Sequence, residues 1–430
     1  MKFSIIVSQA VRLILVSSII CLTITDTLSQ NTIYSPYSRF GIGDVSLSKS
    51  VANAGYGGSG IGMNHAYSVN PLNPASYSAF DSLSFVFDFA LSSRISNHVW
   101  NDQSSLYSNT NIQYFTAGFP ITKWWKGAFG LIPYSSVGYN LMSTQVLNDS
   151  TTATHQYKGE GGLNQFFLGQ SFKLIKNLSV GANVSFLFGS LDRSTVSKFT
   201  DVLYAAQYRN TTRVIMQDLF INFGLQYKVN LKNSDQLTLG LIFDNKTGIN
   251  AKTIDLTTRY LNVAGVLTLD TLETSESAKN TVDIPMQIGL GFSYTRPDKF
   301  NVLADVRYFD RSQVKFLGVQ DSLKNSIYLS AGMEYIPQFN SPNKYWKRVA
   351  YRCGMNYYTT GIELNSTAVN QFGISFGLGL PLRRSKTMIN FAFEAGTKGT
   401  IQNNMIREQY FVISAGLSLF DRWFVKPKFD

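Results

Sequence analysis

"QFGISFGLGLPL", residues 371–382, alternates without a break. Phe372, Ile374, Phe376, Leu378 and Leu380 fall on one face, and Gln371, Gly373, Ser375, Gly377 and Gly379 on the other. In a strand, successive side chains point to opposite faces, whereas a helix sets residues two apart on nearly opposite sides. The stretch is therefore a strand with one apolar face. The same pattern recurs in "MQIGLGFSYT" (286–295), "IYLSAGMEY" (327–335) and "FVISAGLSLF" (411–420).

Runs of this kind cover 83–95, 111–121, 127–140, 161–173, 177–190, 213–228, 235–249, 284–296, 300–311, 325–336, 347–360, 370–382, 387–398 and 409–420. Each is long enough to cross a bilayer at a tilt, which takes about 9–11 residues. Their number, about fourteen, is even, as a single-chain bacterial barrel requires. Tight connections such as "RPDKF" (296–300), "LRRSK" (382–386) and "KLIKN" (173–177) alternate with long polar segments, 191–212 and 250–283, read as external loops. Trp124, Trp125, Tyr345, Trp346 and Trp423 stand near strand ends, where interfacial aromatic girdles form.

Composition agrees. Aromatic residues make up 14% and charged residues only 15%, against about 25% charged in soluble domains. No run after residue 30 reaches the roughly 18 apolar residues of a membrane helix. The expected fold is all-β, a transmembrane antiparallel β-barrel of about fourteen strands, placed in the outer membrane. A soluble β-sandwich or β-helix also alternates, but with strands of roughly 5–6 residues.

The first residues, "MKFSIIVSQAVRLILVSSIICLTITDTLSQ", carry Lys2, an apolar run and then small residues. This predicts a signal peptide over 1–29, the alternative being an N-terminal anchor. Its removal takes Cys21 with it and leaves Cys353 alone, so no internal disulfide forms. The net charge of +11 looks scattered, with no basic cluster beyond Arg383, Arg384 and Lys386. In an exported protein that argues against nucleic acid and for a basic rim facing membrane lipid or lipopolysaccharide.

"GYGGSGIG" (55–62) satisfies G-x-G-x-x-G. A dinucleotide loop needs a strand before it and a helix after it. Polar "SLSKSVANA" precedes it, and Pro71 and Pro74 follow, so that reading fails. The segment 30–80 lacks strand alternation, yet it carries Tyr34, Tyr37, Phe40, Tyr56, Tyr67, Tyr77 and Phe80. A free tail is poor in aromatics. Residues 30–80 are expected to form an N-terminal plug, with 81–430 as the barrel.

Glycine-rich 55–62, then "HAYSVNPLNPASYSAFDSLSF" (65–85) leading into the first strand, resembles the start of FadL/TodX-type outer-membrane transport proteins. The Asn73, Pro74, Ala75 step carries the match; "YSPYSRFGIGD" (34–44) and "LFDRWFVKPKFD" (419–430) resemble members of the same group. The resemblance implies fourteen strands with an N-terminal hatch inside. It also implies passive uptake of long-chain fatty acids or other hydrophobic small molecules. A related branch serves secretion systems, so a non-transporting assembly or secretion-system platform with an envelope protein partner is the alternative. Asn73 would cap the hatch turn and Pro74 would fix its φ. The competing reading is an ordinary turn before a strand.

Reactive chemistry is sparse. His65, His98 and His155 do not stand at metal-ligand spacing, Cys353 lies in an alternating strand, and no G-x-S-x-G occurs. No catalytic residue, metal or cofactor is expected, and His65 reads as structural. Asp88, Asp305, Arg307, Glu334 and Glu394 fall on the polar rows. Buried charges need partners. They form a network tying barrel to plug, or else a positive member such as Arg307 meets a ligand carboxylate.

Overall fold

The computed structural model describes residues 33–422, apart from 48–49, 149–150, 201–206, 264–265 and 383–384. The expected signal peptide, Arg383, Arg384 and Trp423 lie outside the described residues.

The chain forms a closed antiparallel barrel of fourteen strands. They are β1 (Ser84–Trp100), β2 (Gln103–Pro120), β3 (Trp125–Asn148), β4 (Thr151–Ile175), β5 (Leu178–Thr200) and β6 (Gln207–Asn230). β7 runs in two stretches, Gln236–Asp244 and Thr247–Val263, and so does β8, Val266–Ile284 and Met286–Arg296. Then come β9 (Phe300–Asp310), β10 (Ser326–Tyr335), β11 (Ala350–Leu364), β12 (Thr367–Pro381), β13 (Met388–Lys398) and β14 (Arg407–Arg422). β14 closes the ring on β1, in register from Arg407 opposite Val99 to Arg422 opposite Ser84. Closure removes the free sheet edge that an open barrel wall would present.

Two expectations about loops are corrected. The described residues of 191–212 and 250–283 are strand: β5 continues to Thr200, β6 begins at Gln207, and Thr247–Val263 of β7 pairs with Val266–Ile284 of β8. Apart from residues such as Leu191, Ala251 and Val282, which join an apolar cluster inside, these extensions are mostly polar, so the alternation that marks a lipid-facing strand is missing. The paired stretches of β7 and β8 are both interrupted at one level, at Asn245–Lys246 and at Pro285, whose nitrogen carries no proton for the ladder.

Alternation sorts the wall as its chemistry requires. Phe376 is 61% exposed on the outside, while its neighbour Ser375 is fully buried on the inside. Inner residues such as Ser375 do not face open water: residues 33–80 lie against them. That segment holds a strand pair of residues, Asp44–Val45, one helical turn α1 (Val51–Gly55), and 3-10 turns at Pro36–Arg39 and Pro74–Ala79. α1 precedes the glycine stretch, the reverse of a dinucleotide site.

We expect Phe376→Arg to cost about 2–4 kcal/mol, because it puts a cation into hydrocarbon. Phe376→Leu should be near neutral. Refolding into vesicles, read by heat-modifiability on gels, checks both; equal behaviour would contradict the outward placement of this row.

Candidate functional site

With so little regular structure of its own, the segment 33–80 must find partners for its buried backbone elsewhere. The inner row of the wall supplies them. The Asp305 Oδ2 atom on β9 accepts from the Gly60 N–H (2.6 Å) and the Ile61 N–H (2.9 Å). On β1, Asp88 Oδ2 accepts from the Val69 N–H at 2.6 Å. Gln226 on β6 donates to the carbonyls of Ile61 (2.9 Å) and Met63 (3.0 Å). The Tyr328 hydroxyl donates to the Gly57 carbonyl at 2.6 Å, and the Gly57 N–H donates to Ser375 Oγ at 2.9 Å.

A buried ion pair completes the contact. Glu334 accepts from Arg352 Nε and from the Tyr56 hydroxyl, both at 2.8 Å, and Arg352 also donates to Asn390. Burial, opposed by Glu334 and reinforced by Arg352, pushes the nearby His65 imidazole below its ordinary pKa. Gly354 on β11 is required here: a Cβ would meet the Tyr56 carbonyl carbon at 2.2 Å. Gly57 has φ +69°, in the region glycine favours.

Asn73 sits at the N-terminus of the Pro74–Ala79 turn. Its Oδ1 accepts from the Ala75 N–H at 3.1 Å, and its Nδ2 donates to the Ile61 carbonyl at 2.8 Å. One side chain thus joins the turn to the glycine stretch. Arg307 lies on the inner wall, donating to the Leu47 carbonyl at 3.0 Å and stacking over the Tyr328 ring. Its Nε has no hydrogen-bond partner. Asp305, Arg307, Asp88 and Glu334 all meet the segment, whereas Glu394 bonds the wall residues Asn356 and Tyr410. His98 contacts the Tyr34 carbonyl and His155 contacts Ser197, far from each other in the chain. No group of three metal-ligating side chains occurs among the described residues.

Sequence reasoning missed two features. The inner wall of β3–β8 carries an apolar cluster, including Val137, Leu187, Val214, Met216, Phe220 and Ile249, all nearly fully buried, with Ile42 packed on it. A barrel lumen is ordinarily polar. Beside it lies a cavity of about 30 Å³ between Leu47, Leu72, Tyr134, Gln165 and Arg307. The second feature is a parting of the wall. The β2–β3 ladder runs only from Phe115–Leu131 to Pro120–Lys126. Beyond Leu131, β3 takes the N-terminal segment instead: Asp44 and Val45 pair with Ser136 and Ser135, and the Ser35 N–H donates to the Gly138 carbonyl at 2.8 Å. The signal was legible in part, since Pro133 is out of place in a central strand.

A family model, BamG, matches residues 11–430. The chain belongs to the BamG family. No curated protein matches the sequence. Among solved structures, the toluene transporter TodX of P. putida matches with a TM-score of 0.59 at 14% identity, over 88% of this chain and 100% of that one. The Ralstonia pickettii toluene transporter TbuX matches with 0.56 at 14%, over 88% and 99%. A Pseudomonas aeruginosa FadL homologue matches with 0.58 at 13%, over 88% and 99%. This BamG-family chain therefore has the FadL/TodX-type fold.

Asp305→Ala should cost about 1.5–3 kcal/mol, the range for hydrogen bonds to a charged group. Hydrogen exchange at 57–63 should accelerate. Glu394→Gln, which touches only the wall, should leave that exchange unchanged. Protection unaltered by Asp305→Ala would mean the carboxylate does not hold the segment.

Proposed function

We propose that this barrel carries hydrophobic small molecules passively across the outer membrane, with residues 30–80 as the plug that controls passage. The apolar cluster on the inner wall of β3–β8 is the observation that carries the reading. Such a lining has no use in a water-filled pore. It suits a ligand that gains about 0.8 kcal/mol per methylene buried. The parting between β2 and β3 offers a way in from the side of the barrel, and the segment Ser35–Ser46 is what fills it. The fold it shares with TodX and TbuX supports the same reading, as do the apolar residues around the 30 Å³ cavity. Passage requires the plug to shift, since a ligand pocket takes about 300 Å³ or more. The Asn73–Pro74–Ala75 step is the fixed end of that shift. Arg307, with an unpartnered Nε at the cavity, is the group we assign to a ligand carboxylate.

One observation favours a second reading. Asp305, Asp88, Glu334 and Gln226 hold the plug by bonds on several sides of the wall. A plug that never moves would make the barrel a platform for an envelope protein.

Uptake of labelled oleate and toluene by cells with and without the protein separates the two. Transport predicts faster uptake with the protein and its loss in Met216→Lys/Phe220→Lys, which charges the apolar lining. Equal uptake in all three would reject transport, and a co-purifying envelope protein would then support the platform.

A further inference from the structure

Cations that look scattered in the sequence gather at one end of the barrel. The connections between β2 and β3, β4 and β5, β6 and β7, β8 and β9, β10 and β11, and β12 and β13 all lie at that end; five span two to six residues, and that between β10 and β11, 336–349, is longer. Each brings an exposed lysine: Lys123, Lys176, Lys232, Lys299, Lys347 and Lys386. Four of these turns add a second cation in Lys173, Lys228, Arg296 and Lys344. The opposite end carries the long extensions of β5, β6, β7 and β8, which places it outside and this end on the periplasmic side.

Acids do not balance this end. Asp235 is held by Arg296 at 2.7 Å, and Asp81 by Lys386 at 3.3 Å. Asp298, Asp421 and the buried Glu334, which pairs with Arg352 at 2.8 Å, are the other carboxylates there among the described residues. No carboxylate lies within ion-pair distance of Lys123, Lys176, Lys232, Lys299 or Lys347 among the described residues. The opposite end differs in that several of its cations pair with acids across neighbouring strands, as in Arg213–Asp192, Lys252–Glu276 and Arg259–Asp270.

The lysines also stand at the level of the interfacial aromatics. Trp124, Trp125 and Phe172 stack together, and the Lys173 N–H donates to the Trp124 carbonyl. Tyr345 and Trp346 stand beside Lys344 and Lys347, and Lys386 lies over the rings of Tyr67 and Phe420. Tryptophan and tyrosine in such belts mark the headgroup layer. Long lysine stems reach along apolar surface and leave the ammonium in that layer.

We propose that this ring is a binding belt for anionic phospholipid headgroups of the inner leaflet, such as phosphatidylglycerol. The cations occupy every strand connection at this end rather than one sector. Lipid surrounds a barrel; a protein partner touches one side of it. Charge attraction at a membrane surface falls with ionic strength, so the selectivity must be salt-sensitive. The proposal is independent of what passes through the lumen.

The test uses the full chain in phosphatidylcholine vesicles with trace spin-labelled phosphatidylglycerol or phosphatidylcholine. The motionally restricted fraction reports lipid held at the protein. Several-fold preference for phosphatidylglycerol is expected at low salt, falling as salt rises. It should disappear in Lys123→Gln/Lys176→Gln/Lys232→Gln/Lys299→Gln/Lys347→Gln and persist in the opposite-end control Arg213→Gln/Lys252→Gln. Should the five changes block assembly, the triple variant Lys123→Gln/Lys176→Gln/Lys232→Gln is expected to lose part of the preference. No preference in the parent protein would overturn the belt, and capture of an acidic periplasmic protein by the same lysines would then explain the ring. Preference retained in an assembled, heat-modifiable variant would overturn it equally.

Discussion

Everything in this barrel depends on one constraint: a glycine-rich chain buried inside a strand wall must still satisfy its amide groups. Residues 56–73 contain no helix or strand, so several of their N–H and carbonyl groups turn outward to the wall. An orphaned buried amide costs about as much as a lost hydrogen bond. Asp305 answers two of these amides with a single oxygen, and Asp88 answers a third. Gln226 and Tyr328 answer the carbonyls. The same constraint accounts for the small residues of the inner row. At Gly354 a side chain would collide with the Tyr56 backbone, so the wall yields space where the segment comes closest.

Much of the barrel was legible in the sequence because lipid and lumen impose opposite demands on alternate residues. Phe376 beside Ser375 carries that contrast in two positions. The strand extensions above the membrane were not legible. Residues 250–283 are rich in Thr, Ser, Asn and charged groups, and polar strands and polar loops share a composition. The charges Asp88, Asp305 and Glu334 stood out on polar rows, but their partners did not. Gly60 and Asp305 are 245 residues apart, and a backbone N–H leaves no mark in a sequence. The apolar lining was hidden for a related reason: Val214, Met216 and Phe220 look like lipid-facing residues until the sheet shows which way they point.

Charge followed the same logic of folding a line into a ring. Turn lysines recur at intervals along the chain and read as a uniform excess. The barrel brings alternate turns to one end, so a periodic placement in sequence becomes a circular one in space. At the tall end, cross-strand pairs such as Arg259–Asp270 neutralise each other within the sheet.

The central claim, that residues 33–80 are held inside the wall by its inner row, is tested most directly by a tether. The Ser59 hydroxyl donates to Ser330 Oγ at 2.9 Å. With Cys353 replaced by serine, Ser59→Cys/Ser330→Cys should form a disulfide in the assembled, heat-modifiable barrel, read as a mass loss of two hydrogens that a reductant reverses. Thiols that remain free and equally reactive with a water-soluble maleimide would place the segment away from β10 and contradict the account.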